Sequence, residues 1–279
     1  MLLAIDIGNT NTTLGVFEGE NLVADFRLRS ERERTGDEFA ALLASLLLLH
    51  GISLDAIDGV AMAYVVPPVG EALRDLARRH LKVEPFIVTP ATNTGLKILY
   101  NPPNAVGADR IVNAYAGFEL YCPNPSRTGK RPACVVVDYG TATTLDAVSS
   151  QGEYLGGALL PGIGISMDAL FSHAALLSRG ELFEPAAAIG SNTGEALRSG
   201  ILYGFAAQTD GMVARFVGEL SASGSEVRVI ATGGIAPLIT PFTSTVEIVD
   251  VNLTLTGLRL LYERAARVSV GTENTSVTI

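Results

Sequence analysis

Asp6-Ile7-Gly8-Asn9-Thr10-Asn11-Thr12-Thr13 and Asp138-Tyr139-Gly140-Thr141-Ala142-Thr143-Thr144 are two versions of one short text. Aligned on the aspartate, both read Asp-x-Gly and both carry a threonine six positions further on, Thr12 and Thr144. An apolar run precedes each, Leu2-Leu3-Ala4-Ile5 or Val135-Val136-Val137, and a second apolar run ending at a glycine (Gly19, Gly152) follows. The pattern predicts a strand, a tight polar turn and a returning strand. Its repetition predicts two related halves facing one site.

Outward from the first copy, Leu14–Phe17 and Leu22–Phe26 read as strands paired around Gly19. Thr35-Gly36-Asp37-Glu38 has the form of a capping box, opening a helix with Phe39, Leu42, Leu43, Leu46 and Leu49 that stops at Gly51. A strand over 59–66 ends at Pro67-Pro68. A helix with Leu73, Leu76, Ala77 and His80 on one face follows, with His80 expected to be packed, and then a short strand at Phe86-Ile87-Val88. The first half is therefore an antiparallel meander feeding parallel strand–helix units. Cys122 to Pro132, with three prolines and a glycine, is the clearest linker. Beyond it, strands are expected at Ala133–Val137, Thr143–Val148, Tyr154–Leu160, Val227–Ala231 and Val246–Val249. Helices are expected over 164–175, 194–220 and 253–267. The domain expectation is 1–121, 122–267 and a loose Ser/Thr-rich tail over 268–279.

Composition narrows the function. The 279 residues are 48% hydrophobic and 18% charged, enough for a sizeable core. Net charge is −9 with no basic block, which argues against nucleic-acid binding. Backbone N–H groups and a metal ion can still hold a nucleotide. Two cysteines without metal-type spacing, four apolar residues between Met1 and Asp6, and a longest apolar stretch (40–49) about half a membrane span point to a cytoplasmic protein without a membrane partner.

Asp-x-Gly after a strand is also an ordinary turn. Two features favour a ligand site: the crowd of small polar residues Asn9, Thr10, Asn11, Thr12 and Thr13, and the duplication together with its aspartate. Glycine lets backbone approach a ligand, consecutive N–H groups cup phosphate oxygens, and a strand-end carboxylate can hold Mg²⁺, directly or through water. No lysine-bearing P-loop is present in the sequence.

The two Asp-x-Gly hairpins resemble the phosphate loops of the superfamily of actin, hexokinase and acetate kinase. The resemblance implies an α/β fold of two duplicated ribonuclease-H-like domains, mixed central sheets flanked by helices. The chain more closely resembles type III pantothenate kinases. Besides the two turns, Gly107-Ala108-Asp109-Arg110, Gly156-Gly157-Ala158-Leu159-Leu160-Pro161-Gly162, Ile189-Gly190-Ser191-Asn192-Thr193 and Thr232-Gly233-Gly234 follow that family's order. This implies an ATP-dependent transfer to the primary hydroxyl of pantothenate, giving 4′-phosphopantothenate, the first step towards coenzyme A.

By the same resemblance Asp6, Ile7, Gly8, Asn9, Thr10, Asn11, Thr12, Thr13 and Thr141 bind ATP, with Mg²⁺ near Asp6, and Asp138 binds K⁺ or NH₄⁺. Asp109 is the base, and Tyr100, Gly107, Ala108, Asp109, Arg110 and Thr193 bind pantothenate; a homodimer is implied as well. Plain structural roles stand beside these: Asp109 could cap a helix, Tyr100 could be a surface aromatic, and Asn192-Thr193-Gly194-Glu195 has capping form. A non-catalytic regulatory homologue and a same-fold kinase for another small alcohol or carboxylate are the alternatives. Tyr139 in place of the family's Phe, Ala63-Tyr64 in place of Ser-Ser, and the stretch Leu177–Glu181 depart from the family pattern.

Overall fold

The first meander follows from its turns. β1 (Leu2–Ile7) pairs antiparallel with β2 (Asn11–Glu18), and β2 with β3 (Asn21–Arg29) across Gly19, whose φ of 60° suits the first central position of a two-residue hairpin. Thr35 caps α1 (Gly36–Leu49) with a complete capping box, and Gly51 (φ 69°) turns the chain away from its end. β4 (Gly59–Tyr64) lies parallel to β1. Pro67 and Pro68, expected only to close the strand, also open α2 (Pro67–Leu76), where a missing N–H costs nothing. β5 (Phe86–Ile87) adds to β4, for a sheet order β3-β2-β1-β4-β5.

His80 departs from expectation. Leu73, Leu76 and Ala77 are buried as the periodicity predicts, but a wide π-type turn, Ala77–Leu81, rotates the residues that follow. His80 is left half-buried, with Nε2 2.7 Å from Asp37 Oδ1 rather than in the apolar cluster.

In chain order there follow β6 (Lys97–Ile98), α3 (Ala108–Tyr121), β7 (Ala133–Tyr139), β8 (Ala142–Val148), β9 (Glu153–Pro161), α4 (Ile163–His173) and α5 (Thr193–Ser221). β10 (Val227–Thr232), α6 (Ala236–Ile239), β11 (Ile248–Val249) and α7 (Leu253–Glu273) complete the chain. The computed structural model describes residues 1–123, 131–173, 184–222 and 224–273. Most of the expected linker, the Leu177–Glu181 departure and the end of the expected tail lie outside them. Residues 268–273, expected to be loose, continue α7.

The second sheet, β11-β10-β7-β8-β9-β6, repeats the antiparallel meander (β7, β8, β9) followed by parallel strands. It also gains an edge strand, β6, from earlier in the chain. Both sheets are mixed and flanked by helices.

Two compact units result. The first comprises Met1–Leu96, Asn101–Ala116 and the chain from Leu253 onward; the second comprises Lys97–Tyr100 and Gly117–Asn252. This division differs from the expected cut after residue 121. Leu255, Leu258 and Leu261 of α7 are buried with Ala4, Phe17, Ala61 and Ala63 of the first unit. The alanines leave room for a helix on that face, and Leu255 Cδ1 would lie 2.9 Å from any Cβ placed on Gly15. In the first unit, a second cluster from α1 and α2 covers the opposite face with Phe39, Leu43, Leu47, Leu73 and Leu76.

The strand ladders revise the alignment of the two turns. Asp6 pairs with Thr13 and Ile7 with Thr12, whereas Asp138 pairs with Thr144 and Tyr139 with Thr143. Thr13 is therefore the counterpart of Thr144, and Thr12 the counterpart of Thr143. The first turn is one residue longer. The Gly8 N–H reaches Asn11 O (3.0 Å) across Asn9 and Thr10, whereas the Gly140 N–H reaches Ala142 O (3.1 Å) across Thr141 alone. Thr12 and Thr143 are both buried, as equivalent positions should be.

Packing outweighs capping in this architecture. Leu258→Ala should cost about 2–5 kcal/mol of stability through the lost side chain and residual cavity. Thr35→Ala should cost about 0.5–2 kcal/mol. Denaturant unfolding followed by circular dichroism should rank them in that order.

Candidate active site

In the first unit, β1 ends with Asp6 half-buried and Ile7 fully buried, and the chain then surfaces at Asn9, Thr10 and Asn11. A Cβ on Gly8 would approach Asn11 O to 3.1 Å, so glycine suits the tight crossing. The turn is held from β3's end by Ser30, which sequence reasoning missed. Its Oγ donates to Gly8 O (2.7 Å) and lies 2.9 Å from Thr12 Oγ1, and its N–H donates to Thr10 O (3.1 Å). A lone serine after a strand carries no signal in sequence, because its partners are distant along the chain.

The same unit holds Gly107-Ala108-Asp109-Arg110, where α3 begins. Asp109 lies in the first helical turn and its Oδ1 accepts the Arg110 N–H at 2.8 Å. Helix ends of this polarity favour a carboxylate anion. Burial works the other way and is the larger influence: it raises the Asp109 carboxyl above its ordinary value, while the Arg110 N–H and the Arg110 charge lower it in part. A helix-capping contact and a basic carboxylate thus coexist in one residue. A Cβ on Gly107 would run into Asp109 Oδ1, so only glycine leaves that oxygen its place. Arg110 is 8% exposed.

The second unit holds the other turn. Asp138 is half-buried at the end of β7, and Thr141 is exposed at the tip. Two glycines close on this turn. A Cβ on Gly233, whose φ is 93°, would come within 2.6 Å of both Asp138 Oδ1 and Tyr139 O. One on Gly162, just ahead of α4, would strike the Thr141 carbonyl and approach Gly140 O to 2.8 Å. Backbone of two other segments thus packs closely against this turn, at Asp138 and Tyr139 on one side and at Gly140 and Thr141 on the other. The hydroxyls of Thr143 and Thr232, on the strands flanking β7, are buried with no hydrogen-bond partner among the described residues.

Tyr100 follows β6. Its ring lies over Gly156, where a Cβ would meet Tyr100 Cδ2 at 3.1 Å, and tilts against Tyr154 at 6.3 Å between centroids. Thr193 is the exposed first residue of α5. The capping form read there is real: Asn192 Oδ1 accepts the Glu195 N–H (3.0 Å). The Glu195 carboxylate turns back to the N–H and hydroxyl of Ser191. Among the described residues no group of three or more His, Cys, Asp or Glu side chains is placed to hold a metal.

The family model for type III pantothenate kinase matches residues 2–215. The chain belongs to the type III pantothenate kinase family. It is 48% identical over 264 residues to the type III pantothenate kinase of Anaeromyxobacter sp. (strain Fw109-5), covering 95% of this chain and 99% of that one. Against that of Streptomyces griseus it is 49% identical over 269 residues, covering 95% and 98%. Among solved structures, a Campylobacter jejuni protein assigned to the Baf family of transcriptional activators superposes with a TM-score of 0.57 at 20% identity, covering 95% of this chain and 99% of that one. The Acidaminococcus fermentans (R)-2-hydroxyglutaryl-CoA dehydratase component A gives 0.51 at 13% identity, covering 95% and 98%. At those identities the likeness shows the fold alone.

Two departures from the family pattern have local explanations. Tyr139 carries a buried hydroxyl, 2.8 Å from Thr209 Oγ1 on α5, so the extra oxygen is satisfied. Tyr64 lays its ring on Gly70 of α2, where a Cβ would lie 2.7 Å from it.

Ser30→Ala removes the donor to Gly8 O and the partner of the buried Thr12 hydroxyl. It should cost about 1–3 kcal/mol of stability, and hydrogen exchange at the N–H groups of residues 8 and 30, which bond Asn11 O and Thr10 O, should be faster than in the wild type while the β1–β2 ladder changes less.

Proposed function

We propose that this chain transfers the γ-phosphoryl group of ATP to the primary hydroxyl of pantothenate, giving 4′-phosphopantothenate, the first step of coenzyme A synthesis. Membership of the type III pantothenate kinase family supports the reaction. The observation that carries the residue assignment is Asp109: a carboxylate made more basic by burial, held by the Arg110 N–H at the start of a helix.

In this reading the turn from Asp6 to Thr13, with Thr141 of the second turn, binds ATP. Gly8 and Gly140 keep the backbone low enough for N–H groups to meet phosphate oxygens. Asp6 holds Mg²⁺, directly or through water. The ion's contribution is to offset charge on the phosphates. Asp138, with the carbonyls of Tyr139, Gly140 and Thr141, offers the donor set for K⁺ or NH₄⁺. Tyr100, Gly107, Ala108, Arg110 and Thr193 bind pantothenate, and the planar guanidinium of Arg110 suits its carboxylate. Asp109 accepts the hydroxyl proton as the oxygen attacks phosphorus. A base within reach of the nucleophile matters more here than covalent chemistry, since phosphoryl transfer is accelerated chiefly by positioning and charge stabilisation. By the family resemblance, the protein works as a homodimer in the cytoplasm.

ATP-dependent formation of 4′-phosphopantothenate with Mg²⁺ and K⁺ present tests the proposal, and an inactive wild type would refute it. Asp109→Asn should lower kcat by about 10²–10⁴. The base must be unprotonated, so activity is lost as pH falls through the Asp109 pKa. Because burial raises that pKa, the acid limb of kcat/KM should lie above the ordinary aspartate value and vanish in Asp109→Asn. Replacing K⁺ by a bulky organic cation should lower activity. Asp138→Asn should raise the K⁺ concentration needed for half-maximal rate.

A further inference from the structure

Asp146 on β8 is 1% exposed and has no role in the reaction as described so far. Its Oδ1 accepts the hydroxyl of Tyr154, itself fully buried, at 2.6 Å, and its Oδ2 accepts Thr144 Oγ1 at 3.2 Å. The duplicated fold supplies a control. Thr144 corresponds to Thr13 by ladder position, so Asp146 corresponds to Gly15. At Gly15 the first unit places hydrocarbon: Leu22 and Leu255 methyl carbons lie 2.9 Å from where a Cβ would be. The fold therefore does not demand a carboxylate at this point of the returning strand, and a buried carboxylate is costly unless fully bonded.

What Asp146 holds in place is visible one strand over. Between Val148↔Tyr154 and Ala147↔Gly156 the β8–β9 register slips by one residue, leaving Leu155 as a bulge. The bulge keeps Tyr154 on the same sheet face as Asp146 and gives Gly156 a φ of 116°, which glycine alone adopts readily. Tyr100 sits on that glycine, with its ring against Tyr154. β6 fixes the backbone approach: Ile98 pairs with Tyr154, and the Leu99 N–H donates to Tyr154 O at 2.9 Å.

We propose that Asp146 is a positioning residue for the alcohol substrate, holding Tyr154 by its hydroxyl so that Tyr154 and the Gly156 bulge set the ring of Tyr100. The inference rests on the reading of Tyr100 as a pantothenate contact. Through Thr144, which pairs with Asp138, the same carboxylate ties this platform to the second turn. Neither Asp146 nor Tyr154 needs to touch substrate.

The test is steady-state kinetics on the full chain with Tyr154→Phe, Asp146→Asn, Tyr100→Ala and the Tyr154→Phe/Tyr100→Ala pair, with melting temperatures alongside. Tyr154→Phe keeps the ring and removes the hydroxyl. It should raise the pantothenate KM roughly three- to tenfold, the scale of one hydrogen bond, with the ATP KM within about twofold of wild type. Asp146→Asn, which retains an oxygen for Tyr154, should shift the pantothenate KM less than Tyr154→Phe. In the Tyr100→Ala background the effect of Tyr154→Phe on KM should vanish while its effect on melting persists. An unchanged pantothenate KM in Tyr154→Phe, additive effects in the pair, or a larger shift in Asp146→Asn than in Tyr154→Phe would overturn the proposal. A Tyr100→Ala enzyme with wild-type pantothenate KM would instead remove the substrate reading of Tyr100, and this inference with it.

Discussion

Both copies of the Asp-x-Gly motif depend on how β1 and β7 turn back on themselves. In each case a glycine N–H is bonded across the turn, Gly8 to Asn11 and Gly140 to Ala142, and that bond sets the register of the returning strand. A strand's side chains alternate between faces, so a slip by one residue would exchange buried and exposed sets along its whole length. With the register as it is, Leu14 and Val16 on β2, and Leu145 and Ala147 on β8, point into their cores. The aspartates stay half-exposed at the strand ends. Polar turn and apolar sheet are one constraint, which is why the motif can be recognised twice in one chain.

The two copies have nonetheless diverged in length and in what supports them. The longer first turn exposes Asn9, Thr10 and Asn11 and needs Ser30 to hold it. The shorter second turn is instead closed upon by Gly162 and Gly233, where a side chain would collide with it. Two residues further along the returning strands, beyond Thr13 and Thr144, the copies differ again, with hydrocarbon packed at Gly15 and a buried carboxylate at Asp146.

Asp109 shows how tertiary surroundings decide a residue's chemistry. Its place in the first turn of α3 would by itself favour the anion. Burial opposes that and prevails, so the carboxyl is more basic than an ordinary aspartate. Capping contact and proton acceptor are then not rival readings, because the N–H that anchors Oδ1 also fixes where the carboxylate points.

The sequence by itself determined the local and the periodic. Asp-x-Gly turns, the Thr35 capping box, the apolar strand runs and the ordered family motifs rest on neighbours a few residues apart, and the helices and strands they predict are present. Tertiary structure decided what depends on distant partners. It gave α7 to the first unit, because an amphipathic helix fits any complementary face and only Ala4, Ala61 and Ala63 show which one is open to it. The π-type turn carried His80 off its predicted face. The ladders moved the partner of Thr144 from Thr12 to Thr13, since an alignment on identity cannot count the residues inside a turn. Ser30, Asp146 and Tyr154 acquire meaning only through contacts across strands, and such contacts leave no spacing to read.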